Sequence, residues 1–113
     1  MANSFINKKV DLTTTDNTPL YTVPDANTAV IKSLLVSEDA GSGTTITVTL
    51  TDSSSNVFSL FKTKTISGNA TTELLTQPLV MEEKEILKVQ AGEANELHVI
   101  ASILQIQPRE VTT

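Results

Sequence analysis

From Thr44 to Thr51 the chain reads Thr-Thr-Ile-Thr-Val-Thr-Leu-Thr, which sets Ile46, Val48 and Leu50 on one side of an extended segment and threonines on the other. Period-2 alternation of this kind predicts a strand with one dry and one wet face. Similar runs recur at Lys9 to Thr13, Leu20 to Val23, Ala29 to Ser37, Val57 to Lys62, Thr72 to Leu75, Glu85 to Val89 and Leu97 to Ile106. Each is bounded by turn formers, among them Thr15-Asp16-Asn17-Thr18-Pro19, Asp39-Ala40-Gly41-Ser42-Gly43 and Asp52-Ser53-Ser54-Ser55-Asn56. Pro24 has no N–H to donate and ends the run at Val23, so Asp25-Ala26-Asn27 turns the chain into the strong run at Ala29. Met81-Glu82-Glu83-Lys84-Glu85 is compatible with helix but too short to be more than a turn.

Threonine alone occurs eighteen times, and β-branched side chains favour a pleated surface over a helix. Strands of this length with turns about every ten residues predict an all-β fold: a single antiparallel β-sandwich, jelly-roll or immunoglobulin-like, of seven to eight strands. One domain is expected over residues 1–113. Residues 1–8 and 108–113 carry no strong strand pattern and are expected to be short terminal arms, either adding edge strands to a neighbour or simply disordered.

Two runs carry more apolar residues than a one-sided strand needs. In Ala29 to Ser37, simple alternation puts Ile31 and Leu35 on one face and Val30, Leu34 and Val36 on the other. In Leu97 to Ile106 it puts Leu97, Val99, Ala101 and Ile103 on one face, and His98, Ile100, Leu104 and Ile106 on the other. The second faces therefore need cover, from a loop or terminal segment of the same chain or from another subunit. Val30, Leu34, Val36, Ile100, Leu104 and Ile106 are the candidate interface.

Composition narrows the chemistry. The 113 residues contain no cysteine, which removes disulfides, thiol nucleophiles and cysteine-bound metals together. Aromatic residues make up 4 %, leaving few platforms for stacking bases or sugars. The net charge of −5 opposes binding to a nucleic-acid backbone, and the opening residues show no apolar stretch of the kind a secretion signal carries, so a protein used without export is expected. No apolar run is long enough for a membrane-spanning helix.

Candidate catalytic groups are sparse. His98 lies in an apolar run with no second ligand at metal-binding spacing, so the role of a packed or half-exposed structural residue is expected of it. No G-x-S-x-G elbow exposes a serine. Glu82, Glu83 and Glu85 beside Lys84 suit a solvated acidic loop better than a calcium site, and Asp39-Ala40-Gly41-Ser42-Gly43 lacks the lysine and helix of a phosphate cradle. Lys62 and Lys64 near Phe58 and Phe61 are too few for a nucleic-acid surface. No catalytic residue, metal or cofactor is expected.

Tyr21-Thr22-Val23-Pro24-Asp25-Ala26-Asn27-Thr28-Ala29-Val30-Ile31-Lys32-Ser33-Leu34-Leu35-Val36-Ser37 resembles an opening found in small accessory structural proteins of tailed bacteriophages, particularly those of marine and cyanobacterial hosts. Leu87-Lys88-Val89-Gln90-Ala91-Gly92, followed by Asn95-Glu96-Leu97-His98-Val99-Ile100-Ala101-Ser102-Ile103-Leu104, resembles the closing strands of the same proteins. The resemblance implies a compact β-sandwich that is a non-enzymatic virion component, assembled in the host cytoplasm. It points first to a capsid decoration or cement protein, alternatively to a tail or fibre accessory module. The partners it implies are the major capsid protein or other virion proteins and further copies of the chain, with no nucleic acid and no membrane. Met81-Glu82-Glu83-Lys84-Glu85 departs from the family, which would place a glycine-containing turn before Leu87.

Overall fold

A computed structural model describes residues 3–107. Its nine strands are β1 (Asn3–Leu12), β2 (Thr18–Thr22), β3 (Thr28–Glu38), β4 (Thr44–Thr51), β5 (Val57–Ile66), β6 (Thr71–Glu73), β7 (Leu79–Met81), β8 (Ile86–Ala91) and β9 (Leu97–Ile106). One sheet runs β1-β9-β3 and then divides, β6 and β7 pairing with opposite ends of β3; the other runs β2-β8-β4-β5. All pairings are antiparallel. The chain is therefore the all-β antiparallel sandwich that the alternation predicts. β1 pairs with β9, β2 with β8, β3 with β6 and β7, and β4 with β5, so the pairs nest as in one long hairpin rolled up on itself. That nesting is the jelly-roll order rather than the immunoglobulin one, with β6 and β7 as two pieces of a single broken strand.

The core is built from the inward stripes of both sheets. Ile46, Val48 and Leu50 of β4 and Leu97, Val99, Ala101 and Ile103 of β9 are all buried in it. Tyr21 ties the layers at one end: its hydroxyl donates to Gln105 Oε1 at 2.7 Å, and burial pushes the phenol above its usual pKa. Thr49 and Thr51 of β4 are also buried, and their hydroxyl oxygens have no hydrogen-bond partner among the described residues.

Three expectations need correction. The first concerns β3, where the register against β9 shifts between Ile31 and Ser33. The extra residue resets the alternation, so Ala29 and Ile31 point inward before the bulge, and Leu34, Val36 and Glu38 after it. Leu34 and Val36, expected to share an interface face with Val30, are completely buried in the core. Val30 stays on the outer face, and Leu35 joins it there.

The second concerns the amino-terminal segment. Asn3 to Lys8, expected as part of an arm, form the first part of β1 and pair in unbroken register with Ile106 to Ala101 of β9. The other proposed arm, residues 108–113, lies outside the described residues, as do Met1 and Ala2.

The third is the ninth strand. Leu79-Val80-Met81 was not marked by the turn pattern, yet it pairs with Ala29, Val30 and Ile31 and buries Met81 completely. The turn that follows works without glycine, because Lys84 itself takes the left-handed conformation at φ 67°. Its backbone N–H donates to Val23 O and the Glu83 carboxylate accepts from Ala26 N, so this acidic corner is docked onto the Pro24–Asn27 turn.

Candidate functional site

The four-stranded sheet covers one face of the five-stranded sheet, and among the described residues the opposite face has no second layer. Residues directly opposite in an antiparallel pair point to the same side, so the register defines what this outer face shows. Phe5 of β1 stands opposite Leu104 of β9, Leu104 opposite Val30 of β3, and Val30 opposite Val80 of β7. The result is an apolar row across all four strands. At its two ends Phe5 is 79 % and Val80 59 % exposed.

The next row along is polar, formed by Asn7, Ser102 and Ser33, and beyond it lies a mixed row of Lys9, Ile100, Leu35 and Glu73. Ile100 is 41 % exposed and Leu35 half-buried. On the far side of the Phe5 row, Ile106 stands between Asn3 and Thr28. The face thus carries a continuous apolar row from Phe5 to Val80, bordered by the polar Asn7, Ser102 and Ser33, with the shorter apolar pair Ile100 and Leu35 beyond it between Lys9 and Glu73.

The outward members of β9 that alternation singled out, Ile100, Leu104 and Ile106, are on this face. Of the β3 candidates only Val30 is. Phe5, Leu35 and Val80 were missed, Phe5 because it fell in a supposed arm and Val80 because its strand was not recognised. The signal for Phe5 was present: Ile6, Val10 and Leu12 alternate with Phe5, Asn7, Lys9 and Asp11, interrupted by Lys8 alone.

Beyond Ile100, a shallow hollow of about 460 Å³ is lined by Lys9, Asp11, Ser37, His98 and Ile100 among others. His98 sits here between two carboxylates, with Nε2 3.2 Å from Asp11 Oδ1 and Nδ1 3.5 Å from Asp39 Oδ2. It joins β9 to β1 and to the loop after β3. The imidazolium form, with an N–H on each ring nitrogen, can donate to both carboxylates at once and so clamp them together, whereas the neutral ring, with one N–H, can donate to only one.

The acidic residues of the loop end are also structural. Glu38, the last residue of β3, accepts from Gly41 N at 2.8 Å and Asn69 N at 3.0 Å on Oε1, and from Gly43 N at 2.9 Å on Oε2. The Asn69 N–H, then those of Gly41 and Gly43 and a hydrogen bond to Glu96, outweigh burial and hold its pKa down at about 2. Both oxygens are occupied by backbone donors, so the carboxylate organises two loops rather than offering itself to a cation. For Glu96 the Ser42 hydroxyl, 2.5 Å away, favours ionisation, but its contacts with Glu38 and Glu93 together with burial prevail and its pKa is raised. Two carboxylates that share a proton respond in this opposed way.

Glu73 plays a similar part at the β3 bulge. Its carboxylate accepts from the Ser33 hydroxyl, from Leu34 N at 2.7 Å and from Leu75 N at 3.1 Å. Burial opposes its ionisation, yet those donors prevail and lower its pKa. The bulge that redirects β3 is thereby satisfied on its open side.

On the other sheet, the aromatic pair noted beside Lys62 and Lys64 is divided. Phe58 is exposed, whereas Phe61 packs against the core. That leaves a single free ring on β5, too little for a stacking surface.

No family model and no curated protein matches the chain. Among solved structures it is similar to the C-terminal family 22 carbohydrate binding module of Clostridium thermocellum Xyn10B, with 16 % identity and a TM-score of 0.43, over 86 % of this chain and 66 % of that one. It is also similar to the N-terminal Clostridium thermocellum xylanase 10B in its CBM22-1 and GH10 modules, complexed with xylohexaose, with 9 % identity and a TM-score of 0.41. There it covers 82 % of this chain and 19 % of that one. The chain spans just under two thirds of the first protein and a fifth of the second. At these levels of likeness, what those proteins bind says nothing about this one.

Proposed function

We propose that the chain is a non-enzymatic structural protein of a virion, a capsid decoration or cement protein that docks through the outer face of its five-stranded sheet. The observation that carries this reading is the row Phe5, Leu104, Val30 and Val80, four apolar side chains in register on a sheet face that the described residues leave without a second layer. Such a band fits a flat apolar patch on a shell protein, with Lys9 and Glu73 at the rim to set orientation. The bacteriophage-like segments at 21–37 and 87–104 supply the class of particle, and the net charge of −5 suits a position away from packaged nucleic acid. In this reading the shell is reinforced because one decorating chain bridges neighbouring capsid subunits, and the threonine-rich sheet faces solvent.

The test is co-sedimentation of the purified chain with heads and, separately, with tails of the matching phage. Saturable binding to heads that Val80→Asp abolishes is the expected result. Binding to tails alone transfers the function to the tail or fibre, and binding to neither removes the virion reading.

A further inference from the structure

A sheet edge exposes unpaired backbone donors and acceptors, and proteins that stay monomeric blunt their edges with short strands, bulges, proline or lysine. Among the described residues, three edges of this sandwich are blunted. β2 has five residues, contains Pro19 and is irregular between Pro19 and Tyr21. β5 carries Lys62 and Lys64, has two register shifts against β4, and places Thr63 at φ 47°. The edge shared by β6 and β7 consists of two three-residue pieces. β1 also carries two lysines, Lys8 and Lys9, but it differs from the other edges in its geometry: it combines ten residues with no proline and no register shift against its neighbour β9. It is also poorly covered, since Ile6 and Val10 on its inward side are only half-buried.

We propose that β1 is a dimerisation edge, where two copies of this chain pair β1 to β1 antiparallel about a twofold axis at Asn7, joining their five-stranded sheets into one. The register follows from charge and from the two faces of the strand. Asn3, Phe5, Asn7, Lys9 and Asp11 face outward, so a register that opposes an outward residue to an outward one keeps both outer faces on the same side. Within that set, centring the axis on Lys8 or Lys9 would oppose lysine to lysine. Centring it on Asn7 opposes every residue from Asn3 to Asp11 and sets no like charges against each other. Registers centred on Phe5 or Ile6 pair fewer of the described residues.

In the Asn7 register Lys9 of one copy lies across from Phe5 of the other, where an ammonium beside an exposed ring is favourable. Lys8 lies across from Ile6, which its aliphatic stem covers. The apolar row through Phe5 continues into the partner's row through Lys9, Ile100 and Leu35. A self-complementary contact of this kind closes at two copies and leaves no free β1 edge. The proposal does not depend on the virion reading, because it concerns the strand edge and not the face.

The natural chain has no cysteine, so single cysteines report the register directly. Residues directly opposed across strands have Cα atoms about 4.5–5.5 Å apart, within disulfide reach. Asn7→Cys is expected to form a disulfide-linked dimer under mild oxidation. Asn3→Cys and Asp11→Cys should each stay uncrosslinked alone and crosslink when mixed. Light scattering of the unmodified protein should give twice the 12.1 kDa chain mass, and Asn7→Lys, which places lysines together on the axis, should return it to one chain with folding intact. A single-chain mass for the unmodified protein at high concentration overturns the proposal. So does crosslinking of Asn3→Cys alone as fast as Asn7→Cys.

Discussion

Leu34 and Leu35 are sequence neighbours that end on opposite sides of one sheet, Leu34 fully buried in the core and Leu35 half-buried on the outer face beside Ile100. What assigns them is the bulge between Ile31 and Ser33, since a strand without it would put Leu34 outside with Val30.

That assignment makes two substitutions on one strand behave differently. Val36→Asp places an unpaired charge in the core and should cost several kcal/mol, on the order of 3 or more, in urea denaturation. Val30→Asp on the outer face should change stability by about 1 kcal/mol or less while abolishing particle binding. Equal losses for the two would mean that the bulge is absent.

Val48→Asp tests the stripe of β4. Val48 is buried between Val89 and Phe61, so its replacement should likewise cost on the order of 3 kcal/mol, read as a fall in melting temperature. An unchanged melting temperature would show that this face is not core.

The Glu38 and Glu96 pair predicts a stability optimum in the mildly acidic range. Glu38 has a lowered pKa, so its stabilisation is present above the ordinary carboxylate value and is lost as pH falls towards about 2. Glu96 has a raised pKa, so its folded form holds a proton that the unfolded chain releases, and stability declines as pH rises from the ordinary value through the raised one. Glu96→Gln keeps a donor for Glu38 and an acceptor for Ser42 without the charge. It should remove the decline at higher pH and leave the acid limb, in melting curves recorded across pH.

Gly68 and Gly41 meet backbone to backbone. A Cβ at Gly68 would overlap the Gly41 carbonyl, in the same pair of loops that Glu38 holds together. Gly68→Ala should therefore destabilise by about 1–3 kcal/mol, because backbone and not a flexible side chain must yield. A neutral result would show that the two loops are further apart.

Lys84 offers the opposite case. It holds φ at 67° where a side chain is strained, at the corner where the family resemblance implies glycine. Lys84→Gly should relieve that strain and raise stability by up to about 1 kcal/mol. A fall in melting temperature would indicate that the lysine side chain contributes more than its backbone costs.

Much of this architecture was legible in the order of residues. Alternation located seven of the nine strands closely, and in β9 it also assigned the faces, because that strand runs without a change of parity in its burial; in β4 it assigned the apolar stripe, but the expected wet face is partly covered, with Thr49 and Thr51 buried. The turn residues marked most of the corners. The polar role of His98 was legible only as an absence of metal-binding spacing, whereas its clamp between Asp11 and Asp39 joins residues far apart in sequence.

The amino-acid order by itself determined that the chain forms strands and which side of most strands is apolar, since both follow from side chains one or two positions apart. Tertiary structure decided the rest. Asn3 to Lys8 become strand because β9 offers an edge for them to pair with, and Leu79 to Met81 because β3 does. The parity of β3 changes because Glu73, forty residues after Ser33, satisfies the backbone that the bulge leaves open. The outer apolar row exists only once four separate strands are brought into register, a relationship among distant residues that no local period encodes.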